Sequence, residues 1–302
     1  MGFEDFDTDF HTDFPTLVPA VSPLARLNRR QFVGRGIGTG FAAAVLPVSA
    51  QTIKTSSAGL LTGEVTVPVN GFQMPAYRAA PAGRTGLPLV LVVSEVFGVH
   101  EYIADVANRL AQAGYFAVAP ELFVRQGDAA GYGEIAKLLA EVVNQVPDAQ
   151  VMADLDATQA WARAEGADTR KTAITGFCWG GRITWLYCAH NPGVKAGVAW
   201  YGRLVGTPSA LTPTHPVDVA ARLAAPVLGL YGGQDAGIPM DTVAQMKTAL
   251  ARGSAAAQQC EFVVYPDAPH AFHADYRPSY RQPAAEDGWR RTLAWFKANG
   301  VS

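Results

Sequence analysis

Residues 174–182 read Ile174-Thr175-Gly176-Phe177-Cys178-Trp179-Gly180-Gly181-Arg182, a short strand pattern that runs into G-x-C-x-G and then into a helical pattern. A glycine-flanked residue at a strand-to-helix turn marks a nucleophile elbow, because the sharp turn presents one side chain at the sheet edge and needs glycines to relieve backbone crowding. Cys178 stands where such elbows usually carry serine. At a helix N-terminus the thiolate is favoured by the positive end of the dipole and by exposed N–H groups, so it is expected to form more easily than that of free cysteine. The same turn aims the backbone N–H of Trp179 at the place where an oxyanion develops. Glycine-flanked cysteines also occur in ordinary cores, so the partners of Cys178 decide its reading.

An elbow needs a crossover sheet around it, and the flanking sequence supplies one. Residues 87–93 are almost all Leu and Val, as in a strand covered on both faces. Ile103, Val106, Ala107 and Leu110 then recur at helical spacing up to Gly114, and residues 115–119 form the next strand. Before these, Val65, Val67 and Val69 alternate up to Asn70-Gly71, a hairpin signal because both turn positions tolerate positive φ. After the elbow, residues 195–200 and 226–231 read as buried strands and 260–265 as the last strand, with helical patterns between and after them. Residues 204–219 carry three prolines and read as a loop that closes over a site. The expectation is a single α/β domain over residues 51–302: an α/β-hydrolase fold with a doubly wound, mostly parallel sheet led by an antiparallel hairpin.

In such a sheet ligands bind beyond the carboxyl ends of the strands, and that is where the chemistry-bearing residues fall. Cys178, Asp235 and His270 each follow a predicted strand, 57 and 35 residues apart, in the order nucleophile, acid, histidine. Taken singly, Asp235 is as well read as a helix N-cap and His270 as a loop histidine. Together they define an acyl-transfer site in which Cys178 attacks, His270 moves the proton and Asp235 steadies the imidazole. Val96, just after the strand ending at Val93, is the expected second oxyanion donor through its backbone N–H. His270 and His273 lie three apart, but no third ligand forms a recognisable pattern, so neither a metal nor an organic cofactor is expected.

Composition and the N-terminal region bound the remainder. The 302 residues carry a formal charge of −2 and are 49% hydrophobic, which speaks for a well-cored globular chain and against nucleic acid as a partner. No apolar run reaches the ~18 residues of a membrane span. Residues 1–15 hold five acidic residues and no basic ones, and read as disordered. Asn28-Arg29-Arg30-Gln31-Phe32-Val33, a weakly apolar Gly/Ala stretch and Val48-Ser49-Ala50 then resemble a twin-arginine export signal cleaved after Ala50, against the plainer reading of a tail with a chance Arg pair. A signal over residues 1–50 implies a periplasmic protein. The three cysteines, Cys178, Cys188 and Cys260, are an odd number for an exported chain; Cys188 and Cys260 read as core.

With these positions in view, the chain resembles the dienelactone hydrolase family along almost all of residues 51–302. The resemblance rests on Ser94-Glu95-Val96-Phe97-Gly98, Pro120-Glu121-Leu122-Phe123-Val124-Arg125, Gly176-Phe177-Cys178-Trp179-Gly180-Gly181 and Pro269-His270-Ala271-Phe272. It implies a cofactor-free hydrolase that opens a lactone ring. For Glu95 it implies a carboxylate that contacts the resting thiol and keeps it protonated until substrate displaces it, the plainer role being a helix N-terminal carboxylate. For Arg125 it implies a clamp on the substrate carboxylate. The family's second arginine position holds Ala274 here, with Arg277 the nearest basic residue, and Trp200 and Tyr201 are expected to line the pocket, although aromatic strand ends also serve plain packing. The expected partner is a small carboxylate-bearing lactone or ester, acted on by a monomer. A broader carboxylesterase or thioesterase on the same scaffold is the nearest alternative, and a non-catalytic thiol sensor or binding protein the alternative of another class.

Overall fold

A computed structural model of the chain describes residues 52–302. The expected signal, its arginine pair and the cleavage point after Ala50 lie outside the described residues. Eight strands form one sheet: β1 (Leu60–Val69), β2 (Phe72–Pro81), β3 (Pro88–Val93), β4 (Phe116–Pro120), β5 (Asp168–Phe177), β6 (Val194–Trp200), β7 (Val227–Gly232) and β8 (Glu261–Tyr265), in the order β1-β2-β4-β3-β5-β6-β7-β8. β1 and β2 are antiparallel and turn at Asn70 and Gly71, with φ of 48° and 82°, as the Asn-Gly signal requires. β2 meets β4 antiparallel, and β4, β3, β5, β6, β7 and β8 pair in parallel.

The helices are α1 (Glu101–Gln112), α2 (Ile135–Glu141), α3 (Asp148–Ala164), α4 (Trp179–His190), α5 (Pro216–Val219), α6 (Met240–Leu250), α7 (Ala255–Gln258) and α8 (Gln282–Ala298). No helix among the described residues is long and apolar enough to cross a membrane. Strand alternation distributes the covering helices. Gly197 faces α4, where a Cβ would lie 2.6 Å from Cys188 Sγ. Three residues on, Trp200 faces the other way and meets α8, whose Gly288 leaves room for the indole ring. Tyr102 of α1 packs on Phe177 and Phe177 on Trp200, so α1 and α8 share a face while α3 and α4 cover the other. β3, β4, β6 and β7 are buried along nearly their whole length, which explains their apolar runs, and β5 is buried from Thr172 to Phe177.

Two features of this winding create the site. The chain leaves β3 toward β4 on one side and returns to β5 on the other, so the exits of β3 and β5 are adjacent at the point where strand order reverses. The stretch 204–219 departs from the expected loop: it contains α5, because Pro216 stands in the first turn and His215 and Asp218 close a capping box there. Arg182 of α4 holds this stretch through Thr214 O at 2.8 Å and forms a two-pronged ion pair with Asp148 at 2.7 and 2.8 Å.

Candidate active site

The elbow has the geometry that its glycines permit. Cys178 sits between β5 and α4 with φ 53° and ψ −114°, a backbone conformation that a side-chain-bearing residue adopts only under constraint. A Cβ on Gly176 would lie 2.2 Å from Gly180 O, and one on Gly181 2.5 Å from Trp200 O. Only glycine fits at either place. A Cβ on Gly180 would meet Val93 O at 2.4 Å and Ser94 O at 2.6 Å, so the elbow rests against the exit of β3 that carries Glu95 and Val96. Among the described residues neither Val96 N–H nor Trp179 N–H donates to a protein acceptor, and these two donors flank the junction of the two segments.

Asp235 and His270 arrive from the exits of β7 and β8. His270 Nδ1 lies 2.6 Å from Asp235 Oδ2, while Asp235 Oδ1 accepts from Gly237 N–H at 3.0 Å. The position before α6 is held by Pro239, so the N-cap reading of Asp235 does not apply. Burial disfavours a charged His270, but the carboxylate of Asp235 and the neighbouring Cys178 sulfur outweigh it and push the imidazole pKa up to about 10. Asp235 is 5% exposed and Cys178 8%, so the three groups interact away from bulk water. The ring of Tyr201, itself at a positive φ of 38°, meets His270 edge to face at 5.2 Å.

Beside them lies a second buried cluster. Tyr276 Oη donates to Glu95 Oε2 at 2.7 Å, and His100 Nε2 is 3.6 Å from the same oxygen. Burial would raise the Glu95 carboxyl, but His100, the charge of Arg277 and the Tyr276 hydroxyl hold it below the usual carboxylate range. Arg277 is buried too; desolvation works against its charge, and Tyr276, Glu95, Cys178 and Tyr201 favour it. A thiol, an imidazole, a carboxylate and a guanidinium thus gather in one cluster at the sheet edge, an arrangement suited to acyl transfer on a substrate that brings its own negative charge.

Residues 74–300 match the model of the dienelactone hydrolase family. This chain belongs to the dienelactone hydrolase family. It is 60% identical over 278 residues to a Methylorubrum extorquens protein named "Putative carboxymethylenebutenolidase", covering 91% of this chain and 94% of that one. A protein of the same name from Escherichia coli K12 is 52% identical over 263 residues, 87% of this chain and 96% of the relative. Among solved structures, a "Putative Dienelactone Hydrolase" from Klebsiella pneumoniae superposes with a TM-score of 0.77 at 57% identity, covering 79% of this chain and 98% of that one. The chain is a dienelactone hydrolase-like hydrolase.

Within this family member the structure places the remaining expected residues unevenly. Arg125 departs from expectation: its Nη1 and Nη2 donate to both oxygens of Asp154 at 2.6 and 2.9 Å, and its guanidinium lies 4.4 Å from the centre of the Phe72 ring. Asp154 is 1% exposed and needs a counter-charge, so the fork expected for a substrate carboxylate is taken by a protein one. Trp200 is a correction as well. Its ring packs in the core against Phe177, Phe272 and His273, and the aromatic that meets His270 is Tyr201. Glu95 Oε2 accepts from Tyr276, and its Oε1 accepts no hydrogen bond among the described residues. His273 hydrogen-bonds Tyr102 Oη at 2.6 Å, and burial drives its pKa far down. Sequence reasoning missed His100 and Tyr276. His100 closes the Glu95 segment and Tyr276 precedes Arg277, and only those adjacencies hinted at either.

Proposed function

We propose that the chain hydrolyses a carboxylate-bearing lactone or small ester through a thioester on Cys178. Cys178 sulfur attacks the acyl carbon, and the carbonyl oxygen becomes an oxyanion received by the N–H groups of Val96 and Trp179. The C–O bond of the ring or ester then breaks and the leaving oxygen takes the proton from His270. Water, deprotonated by His270, attacks the thioester and releases the acid and the thiolate. Asp235 keeps the Nδ1–H of His270 directed toward itself through both steps. The observation that carries this reading is the 2.6 Å contact of His270 with Asp235, with the Cys178 sulfur as the imidazole's other partner.

Arg277 is the carboxylate-recognising residue in this reading, because Arg125 is engaged by Asp154 and Arg277 lies with Glu95 and Cys178. The name carboxymethylenebutenolidase, carried by the relatives, describes a substrate with a lactone and a carboxylate side by side, which suits a thiol next to a guanidinium. Glu95 acts as a swinging carboxylate, turned to Tyr276 in the reactive state and toward the thiol when the site is at rest. Export by the arginine-pair segment, with cleavage after Ala50, would place a monomeric enzyme in the periplasm.

The test is turnover of a dienelactone, a short acyl ester with a free carboxylate and the matching neutral ester by the wild type and by Cys178→Ala. Loss of all turnover in the variant is expected, with the carboxylate substrates preferred by the wild type. Equal rates for variant and wild type would remove Cys178 from the mechanism. Preference for neutral esters would favour the broader carboxylesterase, the reading that the Arg125–Asp154 pair supports.

A further inference from the structure

The loop that carries Tyr276 and Arg277 is anchored from outside the site. Asp275, immediately before them, is 0% exposed. It accepts from Arg109 Nη2 at 2.5 Å, and the backbone N–H of Ile53 lies on the same carboxylate and favours its charge. Arg109 Nε in turn donates to Asp105 Oδ2 at 2.6 Å. Asp105 then accepts from Thr55, through the backbone N–H at 2.5 Å and through Oγ1 at 3.2 Å. One turn further along α1, Gln112 Nε2 donates to Ser56 O at 2.8 Å. Residues 52–58 therefore run along α1 and close over an acid, base, acid chain whose far end is the residue next to Tyr276.

The chemistry explains why such a segment matters. Two carboxylates and a guanidinium removed from water lose much hydration, and their mutual attraction offsets that loss only if their remaining lone pairs find donors. Arg109 cannot satisfy both carboxylates alone; Thr55 N–H and Thr55 Oγ1 donate to Asp105, and the backbone N–H of Ile53 favours the charge of Asp275. The same loop has its second tie in the Tyr102–His273 hydrogen bond, also from α1, and turns through Ala271 at a φ of 59°. Phe272 and His273 pack on the sheet, while the polar ties of the loop run to α1 and, through Asp275 and Arg109, to the segment lying across α1. Residues 52–58 begin just after the expected cleavage point, so removal of a leader there would leave them whole.

We propose that residues 52–58 form a strap that positions Tyr276 and Arg277 through Asp275, and so sets the enzyme's affinity for the carboxylate of its substrate. The affinity half rests on Arg277 being the carboxylate-binding residue as proposed above. Asp275 and Arg109 are positioning residues and touch no substrate.

The experiment compares the full chain with Ile53→Pro/Thr55→Pro, which removes the two backbone donors at surface positions and leaves every site residue in place, and with Asp105→Asn, which weakens the same chain from the helix side. Hydrogen–deuterium exchange of residues 271–281 is followed together with KM for a carboxylate-bearing ester and its neutral counterpart. Both variants should exchange about tenfold faster in residues 271–281 than the wild type while the sheet stays protected. KM should rise about tenfold for the carboxylate ester and stay within about twofold for the neutral one. Unchanged exchange in residues 271–281 in both variants, or acceleration spread evenly over the sheet, would overturn the strap. Faster local exchange with both KM values unchanged would overturn the affinity half alone. The exchange measurement needs no turnover, so it decides the strap even if the proposed hydrolysis fails.

Discussion

The phenolic oxygen of Tyr276 lies 2.7 Å from Glu95 Oε2 and donates to it. That bond, with His100 and Arg277 beside it, holds an ionised carboxylate with one oxygen engaged by Tyr276. If the carboxylate swings, Tyr276 is what biases it toward the reactive position. Tyr276→Phe should therefore slow alkylation of Cys178 by iodoacetamide about tenfold at pH 7, since a carboxylate returned to the thiol disfavours thiolate by roughly one pKa unit. Adding Glu95→Gln to that variant should restore the rate. Equal alkylation rates in wild type, Tyr276→Phe and Glu95→Gln would remove Glu95 from control of the thiol.

The three thiols should differ in reactivity in a definite order. Burial pushes the pKa of both Cys188 and Cys260 upward, with Cys188 under Gly197 and Cys260 accepting from Val227 N–H. Cys178 stands beside a positively charged imidazole. Limited labelling of the native protein followed by peptide mass mapping should find Cys178 modified first. Earlier modification of Cys188 or Cys260 would argue that Cys178 is an ordinary core cysteine.

Asp235→Asn preserves shape but lets His270 Nδ1 lose its charged acceptor. Turnover should fall about 10⁴-fold, because the imidazole then rests in the wrong tautomer and its cation is no longer stabilised. Circular dichroism and melting should stay near wild type. A loss of less than tenfold would show that Asp235 does not serve the histidine during reaction.

The folded-state pKa of His270, near 10, lies above the roughly 6.5 of an unfolded histidine. Its charge therefore adds stability in full below about pH 6.5, and that contribution declines as pH rises toward 10. Denaturant midpoints measured from pH 6 to pH 10 should fall more steeply for the wild type than for His270→Gln. Parallel curves would mean that the histidine gains nothing from Asp235 and Cys178 on folding.

The glycines of the elbow are a steric requirement that stability can report. A methyl group at residue 176 would stand 2.2 Å from Gly180 O, backbone that cannot move without distorting Cys178. Gly176→Ala should destabilise the protein by about 2–3 kcal/mol and abolish turnover. Gly131→Ala, where a Cβ meets nothing within 4 Å, should change stability by less than about 0.5 kcal/mol.

The hairpin at Asn70-Gly71, the buried parallel strands, the crossover around α1 and the elbow at Cys178 were all legible in the chain, because each is a local consequence of alternation, apolar runs or a backbone angle that few residues adopt. Strand ends in a wound sheet fall on one edge, so the approach of Cys178, Asp235 and His270 to one another followed from chain order once the strands were recognised. Charge pairing was another matter. Arg125 sits in a motif that reads as a carboxylate clamp, yet α3 brings the buried Asp154 to it from 29 residues away. Arg277 and Tyr276 lie in a loop without periodicity, 181 residues of chain from the Glu95 that Tyr276 meets, and their place depends on contacts with α1 that span 166 and 171 residues. Local sequence determined which elements form and what each strand end presents; the choice of partner for every buried charge was made by packing, because a charge out of water binds whatever opposite group the fold brings within reach.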